Sequence, residues 1–258
     1  PFPQFTGVSI QLPSLGVSNY HAFTSRVEKR FAQGFNLLAT YTFSKFLNNT
    51  SEGGNTVATE VGPYSDLYAR NLDYGLSENH VPHRFTLSSV YELPFGTGKR
   101  YLNQNPVRYV LGNWSLGTIM LLQAGAYTTV TTQIDTRYNF AAGGLRADAL
   151  RNPNLPNADR TLGRWFDTAA FAQPADFRNG TSGVGLLQGD GIINADLSLL
   201  RNFPIGENRK LQLRGEFFNI ANHANFGGPG RVLGGPGFGV VSSAGPARRV
   251  QIGARLVW

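Results

Sequence analysis

An all-β fold of long antiparallel strands, of the kind that closes as a transmembrane barrel, is predicted by three features of this chain. Amphipathic segments of period two run about as long as a tilted membrane crossing. Charge is scarce, and the connections alternate between short and long.

Of 258 residues, 41% are hydrophobic, 12% aromatic and only 15% charged, where soluble domains carry about 25% charge. Thirty-one Gly and 14 Pro, with 18 Phe and 10 Tyr, favour strands joined by turns over helical layers. No apolar run approaches a membrane helix; the closest, 110–122, is broken by Gly112, Asn113, Ser115 and Gly117. A membrane location therefore requires a barrel, since lipid leaves exposed backbone unsatisfied. Cysteine is absent, which removes disulfides and thiolate metal sites. The net charge of +7 comes from scattered basic residues whose longest runs are pairs, such as Lys29-Arg30, Lys99-Arg100 and Arg248-Arg249. That pattern argues against nucleic acid as a partner. Pro1 is not a natural initiator, and the chain is expected to be part of a longer one.

Seven strands are expected, at about 20–31, 35–46, 84–93, 113–123, 191–202, 209–220 and 248–258. The first sets Phe23 and Val27 against Thr24, Arg26 and Glu28. In the second, Phe35, Leu37, Ala39, Tyr41 and Phe43 oppose Asn36, Thr40, Thr42 and Ser44, with Leu38 an exception. The third sets Phe85, Leu87, Ser89, Tyr91 and Leu93 against Arg84, Thr86, Ser88 and Glu92, with Val90 the exception. The fourth, from Trp114 to Gln123, is apolar on both faces and its register is open. Ile193, Ala195, Leu197 and Leu199 alternate with Asn194, Asp196 and Ser198 in the fifth. Leu211, Leu213 and Phe217 oppose Gln212, Arg214 and Glu216 in the sixth. The seventh sets Val250, Ile252, Ala254, Leu256 and Trp258 against Arg249, Gln251, Gly253 and Arg255. A strand that repeats every two residues places each such row on one face.

Short links near Gly34 and Gly206 alternate with long ones at about 47–83, 124–190 and 221–247; the link 94–112 is intermediate. Short turns are expected on the periplasmic side and long loops outside. Seven is odd for a single-chain bacterial barrel, so either a strand is missed within 1–15 or 125–190, or the chain is one part of a barrel.

Several motifs sharpen the second reading. They are Asn19-Tyr-His-Ala-Phe23, Glu28-Lys-Arg-Phe31, Tyr41-Thr-Phe-Ser-Lys45, Pro82-His-Arg-Phe85, Tyr91-Glu-Leu-Pro-Phe-Gly96 and Asn113-Trp-Ser-Leu-Gly117. Asn202-Phe-Pro-Ile205, Arg214-Gly-Glu-Phe-Phe-Asn-Ile-Ala-Asn-His223 and Ala224-Asn-Phe-Gly227 follow in order. Together they resemble the C-terminal barrel region of TonB-dependent outer-membrane receptors of the Oar-like family, over nearly the whole chain. The resemblance implies a longer protein with an N-terminal extension, a plug and a 22-stranded barrel, of which residues 1–258 supply about the last seven strands. It also implies outer-membrane lipid, the upstream barrel and plug segments, a TonB-like energy transducer and the outer-membrane assembly machinery as partners. Trp258 stands where the assembly signal of such barrels carries a terminal aromatic, more commonly Phe.

Arg214, Glu216, Arg249 and Arg255 form an inward row and are the candidate lumen or plug contacts. No catalytic residue, cofactor or metal site is expected. Gly96-Thr-Gly-Lys99 lacks the first Gly of a phosphate loop, and Arg100 stands where Ser or Thr would hold magnesium. His80 and His83 lack further convergent ligands. Asp66, Asp73 and Glu78 read as a solvated polar loop with cation binding as the alternative, and Asn219 and Asn222 to Phe226 read as turn chemistry. Tyr41, Phe43, Phe46, Tyr91, Phe95 and Trp258 are expected in interfacial aromatic girdles. The leading expectation is the wall and outer loops of an energy-coupled receptor or transporter in the bacterial outer membrane, and not an enzyme. A surface adhesion or structural barrel and a soluble secreted β-sandwich are the alternatives.

Overall fold

The computed structural model describes residues 16–49, 69–96, 98–102, 106, 108–134, 136, 145–206 and 209–258. Seven long strands appear where alternation places them: β1 (Ser18–Ala32), β2 (Phe35–Asn48), β3 (His83–Glu92), β4 (Trp114–Gln123), β5 (Ile192–Ile205), β6 (Arg209–Phe218) and β7 (Arg249–Val257). They pair antiparallel in chain order as one meander, and the two-residue strand Gly75–Leu76 adds to β2. Among the described residues β1 and β7 each have one neighbouring strand, so the sheet is open.

Local chemistry explains the turn end. Gln33 and Gly34 have φ of +55° and +78°, the positive pair that a two-residue type I′ hairpin requires. A one-residue bulge lies between Lys29 and Ala32. Strand β5 runs through Phe203, Pro204 and Ile205, which the sequence assigns to the turn. Beyond Arg201 only β6 lies beside it, and a one-sided ladder tolerates the missing N–H of Pro204. The link from β3 to β4 is ordered by a Phe95 to Tyr101 bridge and carries the short helix α1 (Arg108–Leu111).

Pairing fixes the faces. Leu200 lies beside Ser115, Ser198 beside Gly117 and Asp196 beside Ile119. The open register of β4 is thereby settled: Ser115, Gly117, Ile119, Leu121 and Gln123 join the polar face, and Trp114, Leu116, Thr118, Met120 and Leu122 the apolar one. The apolar face carries no second sheet among the described residues, and its side chains stand open, Phe23 at 65% and Ile252 at 85% exposure. A soluble sandwich would have covered such a face. Phe46 departs from the girdle expectation: it pairs with Tyr20 on the polar face, because its even number opposes the parity of Tyr41 and Phe43.

The core sits elsewhere. Val130, Ala147, Trp165, Phe166, Ala170, Phe171, Leu187 and Val241 form a buried cluster, with Leu186, Phe226, Leu233 and Phe238 against it. All belong to the long connections, which build a cap at one end of the wall.

Candidate functional site: polar wall and loop cap

The three arginines and one glutamate singled out by parity, Arg214, Glu216, Arg249 and Arg255, all lie on the polar face. Arg214 and Glu216, two residues apart on β6, form an ion pair of 2.6 Å. Arg26 and Glu28 repeat the arrangement on β1 at 2.8 Å. Both pairs are solvent-accessible and contribute at most about 1 kcal/mol each, so their effect is to fix where charge stands on the wall. Arg249 lies across from Phe218, its guanidinium 5.8 Å from the ring. Arg255 lies across from Gln212 near the turn end. The row is thus one face, but Arg249 and Arg255 stand at opposite ends of β7. Trp258 continues the apolar parity of Leu256 and is 85% exposed.

The exceptions to alternation converge. Leu38 and Ile119 both flank Ser88, while Val90 lies one pair away between Asn36 and Gly117. Diagonal neighbours on a sheet lie within reach of one another, so Leu38, Val90 and Ile119 make a contiguous apolar patch on the polar face, with Ile119 61% exposed. Leu38, Ser88 and Val90 also line a hollow of about 350 Å³ with Glu28 and Arg30 on its rim.

Strand β6 leaves the wall through a tight asparagine turn. Asn219 and Asn222 both have φ of +50°, a conformation that Asn tolerates. The Asn219 carboxamide accepts from His223 N–H at 3.0 Å and donates to His223 and Pro246 carbonyls at 2.9 and 3.2 Å. Its own N–H donates to Asp196 on the polar face of β5 at 2.8 Å. Asn225 Oδ1 accepts from Ile193 N–H at 2.7 Å. These side chains are spent on backbone, as the turn reading expects.

Three connections then interlock. Thr131–Thr132 pairs with Val232–Leu233, and Tyr127–Thr128 with Leu187–Gln188. Gly75 and Gly185 are where the first and second connections touch: a Cβ on Gly75 would lie 2.6 Å from Val184 Cβ, and one on Gly185, at φ +64°, 2.4 Å from Leu76 O. Phe166 packs edge-on to Phe171 and Phe238 at 5.8 and 5.2 Å. Trp165 Nε1 donates to Gln188 O at 3.0 Å. Buried Arg146 donates to Ser182 O at 2.7 Å and lies 3.6 Å from Asp73. On the cap surface, Gln133, Ile134, Phe171, Gln173 and Leu233 line a hollow of about 370 Å³.

The two described acidic residues of the first connection have cationic partners: Asp73 faces Arg146, and Glu78 takes an ion pair from Arg231. Asp66 lies outside the described residues. His80 is buried, its Nδ1 accepting from Phe46 N–H at 3.2 Å and its ring stacked 5.1 Å from Tyr127. Burial first, and the Lys45 charge second, hold its pKa below the usual histidine value. His83 meets Tyr41 OH at 2.9 Å, so the two histidines serve different contacts, and no metal-holding cluster occurs among the described residues. Lys99 pairs with Glu92 at 2.5 Å, which gives the Gly96–Lys99 turn a structural occupation; Thr97 lies outside the described residues.

Sequence reasoning missed Arg201. It continues the apolar row of β5, yet it is 4% exposed. Its guanidinium lies 5.5 Å from the Trp114 ring and 4.0 Å from that of Phe203, and it donates to the Tyr109 carbonyl. Missed too was the cap core, whose apolar residues follow no period in sequence.

No curated protein matches the chain. The family model described as "Outer membrane beta barrel domain" matches residues 1–251, nearly the whole length. That match agrees with a wall of long antiparallel strands, one face open and apolar, the other polar and ion-paired. The chain belongs to the outer membrane β-barrel domain family and forms barrel wall in the bacterial outer membrane.

Proposed function

We propose that this wall belongs to an energy-coupled receptor of the TonB-dependent, Oar-like kind, in which the cap faces outward and gathers a ligand above a polar lumen. The observation that supports this reading is the cap itself: the second and third long connections share one core, ion pairs tie the first to them, and together they stand over the end where Asp196 and Asn219 join lumen wall to loop. The open edges of β1 and β7 suit a wall continued by further strands of a larger barrel, because unpaired backbone in lipid costs several kcal/mol per group. Arg214, Glu216, Arg249 and Arg255 would meet whatever fills the lumen, with Trp258 read by the assembly machinery. The reaction would be conformational, with no covalent chemistry asked of these residues.

Adhesion is a second reading, favoured by the hollow on the cap surface, which would bind a partner without passage. The two separate on the intact protein in its native outer membrane, detected with a peptide from residues 209–258. A species much heavier than 258 residues that binds the purified periplasmic domain of a TonB-like transducer supports the receptor. A heavy species that ignores the transducer, or a species of this chain's own size, overturns it.

A further inference from the structure

We propose that α1 and the Arg100–Tyr101 turn, both in the link between β3 and β4, form a lipid-binding foot, with α1 folded back on the outer wall and the foot seated among anionic phospholipid headgroups of the leaflet at the turn end. It rests on the orientation proposed above only for the identity of that leaflet.

The geometry begins at Arg201. On β5, Ile193, Ala195, Leu197, Leu199 and Arg201 share the lipid-facing row, so its guanidinium would meet lipid if nothing covered it. Instead Trp114 and Phe203 flank it, and the Tyr109 carbonyl of α1 accepts its hydrogen bond. The helix is therefore held on the lipid face, beside the end of a membrane strand, and does not hang below the barrel as a turn. On α1, Tyr109 is 66% and Leu111 50% exposed, and Tyr101 earlier in the link is 48% exposed. Arg100 is exposed beside Tyr101, its guanidinium 5.4 Å from that ring.

Continuity decides the occupant. The surface extends a row that already meets hydrocarbon, and aromatic rings with a basic neighbour suit the headgroup layer, where rings are amphipathic and cations find phosphate. Tyr109 and Leu111 act as wedges, Arg100 supplies the charge contact, and Arg201 is the positioning residue that holds the helix down. An aqueous turn would have no need to bury an arginine against the wall.

The test uses the full polypeptide in bilayers of phosphatidylethanolamine and phosphatidylglycerol, with bimane attached at Leu111→Cys. Expected is strong quenching by lipids carrying a doxyl group near the headgroup and weak quenching by aqueous iodide. Doxyl-phosphatidylglycerol should quench more than doxyl-phosphatidylcholine. Arg100→Glu should remove that preference, which amounts to about fivefold for one basic side chain at an anionic surface. Arg201→Gln should shift the probe from lipid to iodide quenching. A probe at Ile252→Cys on β7 controls for insertion: if it too is reached only by iodide, the membrane wall reading fails and not the foot alone. With Ile252→Cys quenched by lipid, iodide access at position 111 overturns the foot, and equal quenching by both lipids overturns its anionic selectivity.

Discussion

Arg231, in the last long connection, donates to Glu78 of the first at 2.5 Å and to the Thr128 hydroxyl of the second at 3.2 Å. One side chain thus ties three connections, reaching partners 153 and 103 residues away in sequence. Because both charged groups remain partly exposed, the pair contributes about 0.2–1 kcal/mol. Arg231→Gln and Glu78→Gln should each raise the rate of proteolytic nicking in the cap by about two- to fivefold at constant barrel content. The double variant should be less than additive. Additive rates in a double-mutant cycle would show that the two do not act as a pair.

Phe166 sits at the centre of the cap, 1% exposed and edge-on to Phe171 and Phe238. Phe166→Ala removes a ring from a closed cluster, a change worth about 3–5 kcal/mol. The loss should fall on the cap alone, since the membrane strands share no side chain of that cluster. Hydrogen exchange should rise at the Trp165 and Val241 amides, which donate to Gly239 and Leu162. Exchange at the β4–β5 ladder should stay the same. Simultaneous loss of both would show that cap and wall unfold as one unit.

The contrast between those two parts explains what the sequence discloses. All seven strands are legible because a half-lipid, half-water wall imposes period two on residues such as Val250 to Leu256. Trp114–Gln123 resists that reading, and only its pairing with Asp196 and Ser88 places Ile119 on the polar face. The inward placement of Arg214, Glu216, Arg249 and Arg255 follows from parity, whereas the ion pair between the first two needs side-chain geometry. The cap is illegible because Val130, Phe166, Leu187 and Val241 meet from distant, aperiodic, Gly- and Pro-rich segments. Arg201 is hidden for a related reason: alternation assigns it to lipid, and its cover comes from α1 together with the Trp114 and Phe203 rings.

His80 gives the cap a pH dependence. Its folded pKa is lowered, so the unfolded cap binds the proton more readily and stability rises with pH. The contribution is fully present above the ordinary histidine value of about 6.5 and declines as pH falls from there towards the lowered folded value. Protonation would also turn Nδ1 from an acceptor of Phe46 N–H into a donor facing it. The protection factor of the Phe46 amide, corrected for the intrinsic pH dependence of exchange, should fall as pH drops below about 6.5, and His80→Gln should flatten that profile. An unchanged profile in the variant would assign the pH response to another group.

The two faces of β7 can be tested one residue apart. Ile252 projects from the lipid row at 85% exposure, while a Cβ added at Gly253 on the lumen row would meet nothing within 4 Å. Ile252→Arg puts a guanidinium into hydrocarbon near the middle of the strand, where such a change costs about 2–4 kcal/mol. Gly253→Arg adds the same charge beside Arg214, its pair across β6. The glutamate next to Arg214, Glu216, limits the repulsion there. Heat-modifiable, membrane-integrated protein should fall sharply for Ile252→Arg and stay near wild type for Gly253→Arg. The reverse order would invert the assignment of lipid and lumen, and equal loss would mean that the faces do not differ in solvent. Because the substituent and the strand are the same in both variants, the difference between them isolates the medium that each face meets.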